Sequence, residues 1–196
     1  MEKLTNILRR EKEATREVES TENLKRRQLG IIEEYARDNN YWLEDFHLLG
    51  YYLAEGGENE VYVHNDPFVY KLNNFEFAGD DVLNFFQRID MHNHMFPEIK
   101  YELIGFGNNS RNEVSAIIKQ PYVVAEREAF PDEIMSYMCS YGFSVEDEDS
   151  FRSEEYLVFD AVPHNVLMGI DGRLYFIDTQ IKGLHGNIKN MVRNFM

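Results

Sequence analysis

The chain predicts an α+β fold, and three stretches carry that prediction. Apolar residues recur at helical spacing between Asp80 and Met95, strand-like runs separated by glycine turns fill Phe46 to Leu72, and a polar hairpin pattern closes on Asp178.

In chain order, residues 1 to 40 read as helix. The first twenty are polar and charged; Leu24, Ile31, Ile32 and Tyr35 then fall near one face. Such a segment can pack on the body of this chain or pair with a second chain. Residues Phe46 to Leu72, FHLLGYYLAEGGENEVYVHNDPFVYKL, give an apolar run, a turn at Gly56 and Gly57, a second strand, and a third strand, Val69-Tyr70-Lys71, that carries one lysine. In the Asp80 to Met95 helix the apolar face is Val82, Leu83, Phe86, Ile89 and His92 or Asn93. Strands follow around 100 to 124. A short helix starts at Pro131 and runs toward Tyr141, with Asp132 and Glu133 favourably placed in its first turn. The acidic run Glu146 to Ser150 reads as a solvated loop.

The most specific stretch is DAVPHNVLMGIDGRLYFID, Asp160 to Asp178. Asp171-Gly172 between two apolar runs is a two-residue hairpin signal of type I′, which needs φ > 0 at both central positions. With that turn, Leu167 faces Phe176 and Asn165 falls opposite Asp178, their Cβ atoms roughly 5 Å apart. An amide and a carboxylate side by side suit a hard cation such as Mg²⁺, which takes oxygen ligands and keeps several waters. Asp160 supplies a further carboxylate.

Asp160, Asn165 and Asp178 resemble, in order and spacing, the catalytic loop of protein kinases and of the aminoglycoside and choline phosphotransferases. That resemblance implies an Asp that orients the acceptor hydroxyl, an Asn on a metal, and a hairpin that ends in a metal-binding Asp. Upstream, Gly56 and Gly57 resemble the turn that covers nucleotide phosphates with main-chain N–H groups. Lys71 resembles the strand lysine on the α and β phosphates. Gln120-Pro121-Tyr122-Val123 looks like the lobe-connecting hinge whose backbone binds adenine. Over roughly residues 30 to 185 the chain also resembles the kinase-like domain described in polyvalent proteins of phages and mobile elements, common in Bacteroidetes. The segments that carry this are GGENEVY at Gly56 to Tyr62, HNHMFPEIKYELIGFG at His92 to Gly107, IIKQPYV at Ile117 to Val123, and the closing hairpin.

Two departures stand out. The Asp80 to Met95 run contains no glutamate to pair with the strand lysine, leaving Asp81 or Glu76 as substitutes, and Val158-Phe159 stands where His-Arg would precede the catalytic Asp. Only eighteen residues follow Asp178. The expectation is therefore a small acceptor, one bound through another surface, or a domain that only binds nucleotide.

Composition bounds the partners. The chain has 196 residues and a formal charge of −15. Residues 1 to 30 hold eight Lys or Arg against six Asp or Glu, so the rest carries the whole negative excess. Phosphate-rich nucleic acid is repelled by such a surface, so it is not expected as a partner. His92-Asn93-His94 spells a nuclease motif but sits at a helix end and not in the ββ-hairpin that chemistry needs. No apolar run approaches a membrane span and no signal-peptide h-region is present, which predicts no membrane partner and a cytoplasmic address. Cys139, the single cysteine, rules out an internal disulfide.

The combined expectation is a truncated protein-kinase-like α+β fold with a small antiparallel β-rich N-lobe and a reduced C-lobe, binding Mg·ATP between them. It divides into an N-terminal helical segment at 1–40, a nucleotide-binding part at 41–125 and a reduced C-lobe with the catalytic hairpin at 126–196. The expected function is ATP- and Mg²⁺-dependent phosphate transfer to an unknown hydroxyl. Lys71 and Asp160 are the catalytic pair, with Gly56, Gly57, Lys71, Gln120 and Tyr122 on the nucleotide and Asn165 and Asp178 on the metal. The alternative is a pseudokinase, a nucleotide-binding or protein-interaction module without catalysis, with self-association through the N-terminal helix.

Overall fold

The computed structural model describes residues 2–15, 21–79 and 81–184. The predicted helix start at Asp80 and the end of the 126–196 segment lie in part outside these residues. The chain forms two compact units, one made of the residues up to Gln87 together with Tyr101–Gln120, the other of Arg88–Lys100 and the residues from Pro121 onward.

The first unit opens with helices α1 (Glu2–Thr15) and α2 (Thr21–Asp38). Its strands are β1 (Trp42–Leu43), β2 (Tyr51–Glu55), β3 (Asn59–Val63) and β4 (Phe68–Asn73). Helix α3 (Leu83–Met95) runs on past the division at Gln87, and β5 (Glu102–Asn108) and β6 (Val114–Pro121) complete a six-stranded sheet in the order β1-β5-β6-β4-β3-β2. Phe46–Leu49, expected to begin a strand, is instead a 3₁₀ turn. Asp45 accepts the His47 N–H and breaks the extended run there. Leu49, Tyr62, Leu72 and Ile117 pack as a small core on one side of the sheet.

Leu4, Leu8, Leu24, Ile32 and Ala36 of the two N-terminal helices are all buried, and α2 packs on β1 and β5. The helical segment packs on its own chain, one of the two options the sequence leaves open. Of the predicted face, Leu24 and Ile32 are buried and Ile31 and Tyr35 half-buried.

A polar clamp fastens these helices ahead of α3. The buried Asp81 carboxylate accepts Lys12 Nζ at 2.5 Å and Gln28 Nε2 at 2.8 Å. It also accepts the Leu83 N–H at 3.1 Å, while Gln28 Oε1 accepts the Val82 N–H at 2.9 Å. Asp81→Ala strands the Lys12 ammonium and an amide, and should cost about 3 kcal/mol, the low end for breaking a buried pair because Lys12 still reaches water. Urea unfolding checks this, with Asp81→Asn retaining part of the loss because its amide oxygen still accepts.

The second unit holds β7 (Ala125–Glu128), α4 (Pro131–Ser140), β8 (Ser144–Asp147), β9 (Ser150–Arg152), β10 (Tyr156–Phe159), β11 (Val166–Gly169), β12 (Leu174–Phe176) and β13 (Gln180–Gly183). They form a four-stranded sheet, β13-β10-β9-β8, and a three-stranded one, β12-β11-β7. Its core gathers Met91, Phe96 and Ile99 with Ile134, Met138, Phe151, Val158 and Phe176. Glu133 starts α4 as its position predicts, accepting the Phe130 N–H at 2.8 Å and two Arg127 N–H groups at 2.7 and 2.8 Å. The Arg127 hydrogen bonds, and then that of Phe130, pull its carboxyl down to about 2.

The acidic run at Glu146 to Ser150 is not a plain loop. It is the turn of the β8–β9 hairpin, pinned by the Val145–Phe151 strand pair and by Arg152 donating to both Glu146 oxygens at 2.7 and 2.9 Å. Charge density hid two short strands whose only buried anchors are Ser150 and Phe151.

Candidate active site

The Asp160 to Asp178 hairpin forms, but one residue out of the predicted register. Val166 pairs with Phe176, Leu167 with Tyr175 and Met168 with Leu174, so Leu167 does not face Phe176. The loop has three residues, Ile170 to Gly172, closed by Gly169 N–H to the Arg173 carbonyl at 2.9 Å. Only Gly172 has positive φ, +77°, whereas the type I′ turn needs it at Asp171 as well. Asp171 is engaged through its side chain instead, where the carboxylate accepts the Arg173 N–H at 3.2 Å and the Tyr175 hydroxyl at 2.7 Å. A Cβ at Gly169 would lie 2.6 Å from that carboxylate, so the close approach needs glycine.

As a result Asn165 lies beside Ile177 and not Asp178, with the Ile177 N–H donating to the Asn165 carbonyl at 2.9 Å. A one-residue slip should turn Asp178 to the opposite face of a straight strand. The strand does not stay straight: β12 ends at Phe176 and the chain bends through Ile177 and Asp178. Asp178 then comes close enough to Asp160 to influence its ionisation. Burial first, and the Asp178 charge second, raise the Asp160 carboxyl above its usual range; His164 and the Asn165 amide act the other way.

Asp160 sits in the left-handed region at φ 58°, a conformation Asp tolerates better than most residues. The conformation is held from both sides. Ala161 N–H donates to the Asp149 carbonyl at 3.0 Å, and the buried Asn165 donates its Nδ2–H to the Asp160 carbonyl, also at 3.0 Å. Pro163–Asn165 is a 3₁₀ turn that returns the chain into β11. A cavity of about 260 Å³ adjoins this loop at Ala161 to Pro163, walled by Ile134, Met135, Val145 and Phe151 and edged by Asp132, Asp147 and Glu148.

Two residues that the sequence places on apolar faces without a role in the site fix the end of β12. Phe176 is fully buried and stacks on Phe96 at 4.5 Å with the rings nearly parallel. His92, buried on α3, donates its Nε2–H to the Phe176 carbonyl at 2.8 Å. The only signal for either was helical spacing at His92 and strand alternation at Phe176, which report burial and not a partner 84 residues away.

In the first unit the Gly56-Gly57 turn joins β2 to β3, with Gly56 N–H donating to the Asn59 carbonyl at 2.8 Å. Neither glycine has positive φ; a Cβ on Gly57 would press to 3.0 Å on the Phe77 ring, whereas Gly56 faces open space. Lys71 is buried on β4, its Nζ donating to the Tyr101 hydroxyl at 3.4 Å and lying 5.1 Å from that ring's centroid. Of the two substitutes for a helix glutamate, Asp81 is held by Lys12 and Gln28, and Glu76 is an exposed residue whose carboxylate takes an Asn74 hydrogen bond at 3.5 Å. Gln120, buried, and Tyr122, about half exposed, flank Pro121, where the chain passes from the first unit to the second.

Among the described residues no three His, Cys, Asp or Glu side chains cluster as a metal site. The Asp160, Asn165 and Asp178 set offers two carboxylates and an amide instead. All are oxygen donors, and the Asp178 charge adds to the cost of ionising Asp160. That donor chemistry fits Mg²⁺, which takes one or two protein carboxylates and fills the rest with water and phosphate.

A glycine turn, a strand lysine, a helix, and an Asp–Asn–Asp hairpin on mostly antiparallel sheets define a kinase-like α+β protein. The profile of the family described as Serine/Threonine/Tyrosine Kinase found in polyvalent proteins matches residues 25–184, and the chain belongs to that family. No curated protein and no solved structure matches the chain. Among the described residues no helix is long and apolar enough to cross a membrane.

Proposed function

We propose that the chain transfers phosphate from ATP to a hydroxyl acceptor with Mg²⁺ as cofactor. The observation that carries this is the Asp160 carboxyl, whose pKa is raised by burial and then by the Asp178 charge, with Asn165 tied to the same loop. Two carboxylates kept within each other's field are costly unless a cation is to be held there. In this reading Asn165 and Asp178 hold magnesium and Asp160 orients the acceptor hydroxyl. Lys71 neutralises the α and β phosphates, the Gly56-Gly57 turn donates main-chain N–H groups to them, and the backbone at Gln120 and Tyr122 meets adenine. Bound magnesium would neutralise charge on the phosphate oxygens. The protein's own part is positioning and charge complementarity, the usual source of rate in phosphoryl transfer. The cavity lined by Ala161 to Pro163, the residues that follow Asp160, offers room for an acceptor.

Calorimetric titration with ATP, with and without Mg²⁺, tests the assignment. Magnesium-dependent binding that is weakened roughly a hundredfold in Lys71→Ala supports it, as expected when a buried charge-assisted contact to phosphate is lost. Wild-type protein that binds no ATP overturns it. The titration should also depend on pH. Protonating Asp160, whose carboxyl pKa is raised, removes a negative charge beside the Asp178 ligand, so Mg²⁺ affinity should weaken as pH falls into that range and recover above it.

A second reading is nucleotide binding without transfer. It is favoured by Asp81, one of the two substitutes for a helix glutamate, having its carboxylate held by Lys12 and Gln28. Magnesium-dependent binding without hydrolysis or transfer would select it.

A further inference from the structure

Outside the catalytic loop and its hairpin, the second unit contains a separate cavity of about 450 Å³. The volume lies within the range of small-molecule sites. Its walls are aromatic: Tyr137 from α4, Tyr141 capping the end of that helix, Phe143 beyond it, and Tyr156 at the start of β10. Tyr137 and Tyr141 lie one helical turn apart with ring centroids 4.7 Å from each other, and Tyr137 rests on Phe176 at 5.0 Å. Glu154 and Glu155 stand on the rim. Both are exposed, and among the described residues neither has an ion-pair partner. Among the described residues no Lys or Arg lines the cavity, and the one basic group there is the His94 imidazole.

The acidic rim is a built turn. Glu155 and Tyr156 N–H groups donate to Ser153 Oγ at 3.3 and 3.0 Å, and the Leu184 N–H donates to the Glu155 carbonyl at 2.8 Å. The carboxylates are thus presented from backbone that is already fixed. Burial, and then the Tyr141 hydrogen bond, push the Tyr137 phenol up; burial and Glu155 do the same to Tyr156. Both rings remain neutral and electron-rich at physiological pH.

We infer that this cavity binds a small organic cation, an ammonium or quaternary ammonium on an apolar body, with the charge between Glu154, Glu155 and the tyrosine faces. Aromatic faces attract cations through the ring quadrupole, and the attraction grows when the ion is partly desolvated. Carboxylates at the mouth add a field that a neutral or anionic ligand of the same shape cannot use. The overall charge of −15 draws the same class of ligand toward the surface. The site stands whether or not the chain transfers phosphate.

The test uses the full chain with ¹³C-methyl methionine, since Met138 lines the cavity while buried in the core. Three probes of similar size differ in charge: benzyltrimethylammonium, benzyl alcohol and phenylacetate. The expected result is a saturable shift of the Met138 methyl with the cation, and affinity roughly tenfold weaker for the other two. Affinity for the cation should also fall roughly tenfold in Glu154→Gln/Glu155→Gln and again in Tyr141→Ala, whose exposed side chain leaves folding intact. Equal binding of benzyl alcohol, or a cation titration indifferent to the glutamine variant, would overturn the inference. So would a concentration-dependent Met138 shift without probe together with a dimer by light scattering, which would assign the aromatic face to a second copy of the chain.

Discussion

Asp178→Asn should abolish the magnesium dependence of ATP binding, so that titrations with and without Mg²⁺ coincide. Losing an outer-shell partner of a metal already costs roughly 10–100-fold in affinity, and replacing a charged ligand should cost at least as much. The substitution keeps shape and removes one charge, so a folding defect is not the expected cause. A second readout makes the origin explicit. Asp178 is one of the groups holding the Asp160 carboxyl high, so in Asp178→Asn that carboxyl should titrate at lower pH, followed by carboxyl ¹³C shifts. An unmoved Asp160 titration would show that the two groups do not share a site. An unchanged magnesium dependence would sink the metal assignment.

Phe176→Ala should be the most damaging core substitution in the second unit, at about 3–5 kcal/mol by chemical denaturation. Phe176 is fully buried, stacked on Phe96 and packed by Tyr137, so truncation leaves a void between α4 and β12. It also unseats the residue whose carbonyl receives His92, two positions before Asp178. A smaller ATP-binding loss should accompany the stability loss and be absent from Phe176→Leu, which keeps most of the volume. A loss below about 1 kcal/mol would mean that the site collapses around the gap and that Phe176 does not position Asp178.

Much of the second unit was legible one residue at a time. The Pro131 helix starts where Pro and two acidic residues favour a helix N-terminus, and Glu133 turns that preference into hydrogen bonds with Phe130 and Arg127. The Asp160 to Asp178 hairpin was legible as a hairpin because Gly172 and Asp171 interrupt two apolar runs. Its register was not. Asp-Gly permits both a two-residue and a three-residue loop, and the choice rested on Tyr175 and Arg173 claiming the Asp171 carboxylate. The strands at Tyr156–Phe159 and Gln180–Gly183 were missed, since each is four residues long and is stabilised by pairing with the other.

In the first unit, helical spacing identified the α3 face, yet the partner of Asp81 could not be read locally. Lys12 and Gln28 lie 69 and 53 residues away, and their pairing with Asp81 exists only because the N-terminal helices pack on this chain.

By itself the sequence determined the α+β class, the order of glycine turn, lysine strand, helix and Asp–Asn–Asp hairpin, and the family those residues resemble. These depend on local periodicity, turn chemistry and spacing along the chain. Only the tertiary structure decided which carboxylates meet: it bent the chain after Phe176 to bring Asp178 near Asp160, and it delivered Asp81 to Lys12 and Gln28. A charge's partner is set by burial and long-range packing, and neither is encoded in the neighbours of that charge.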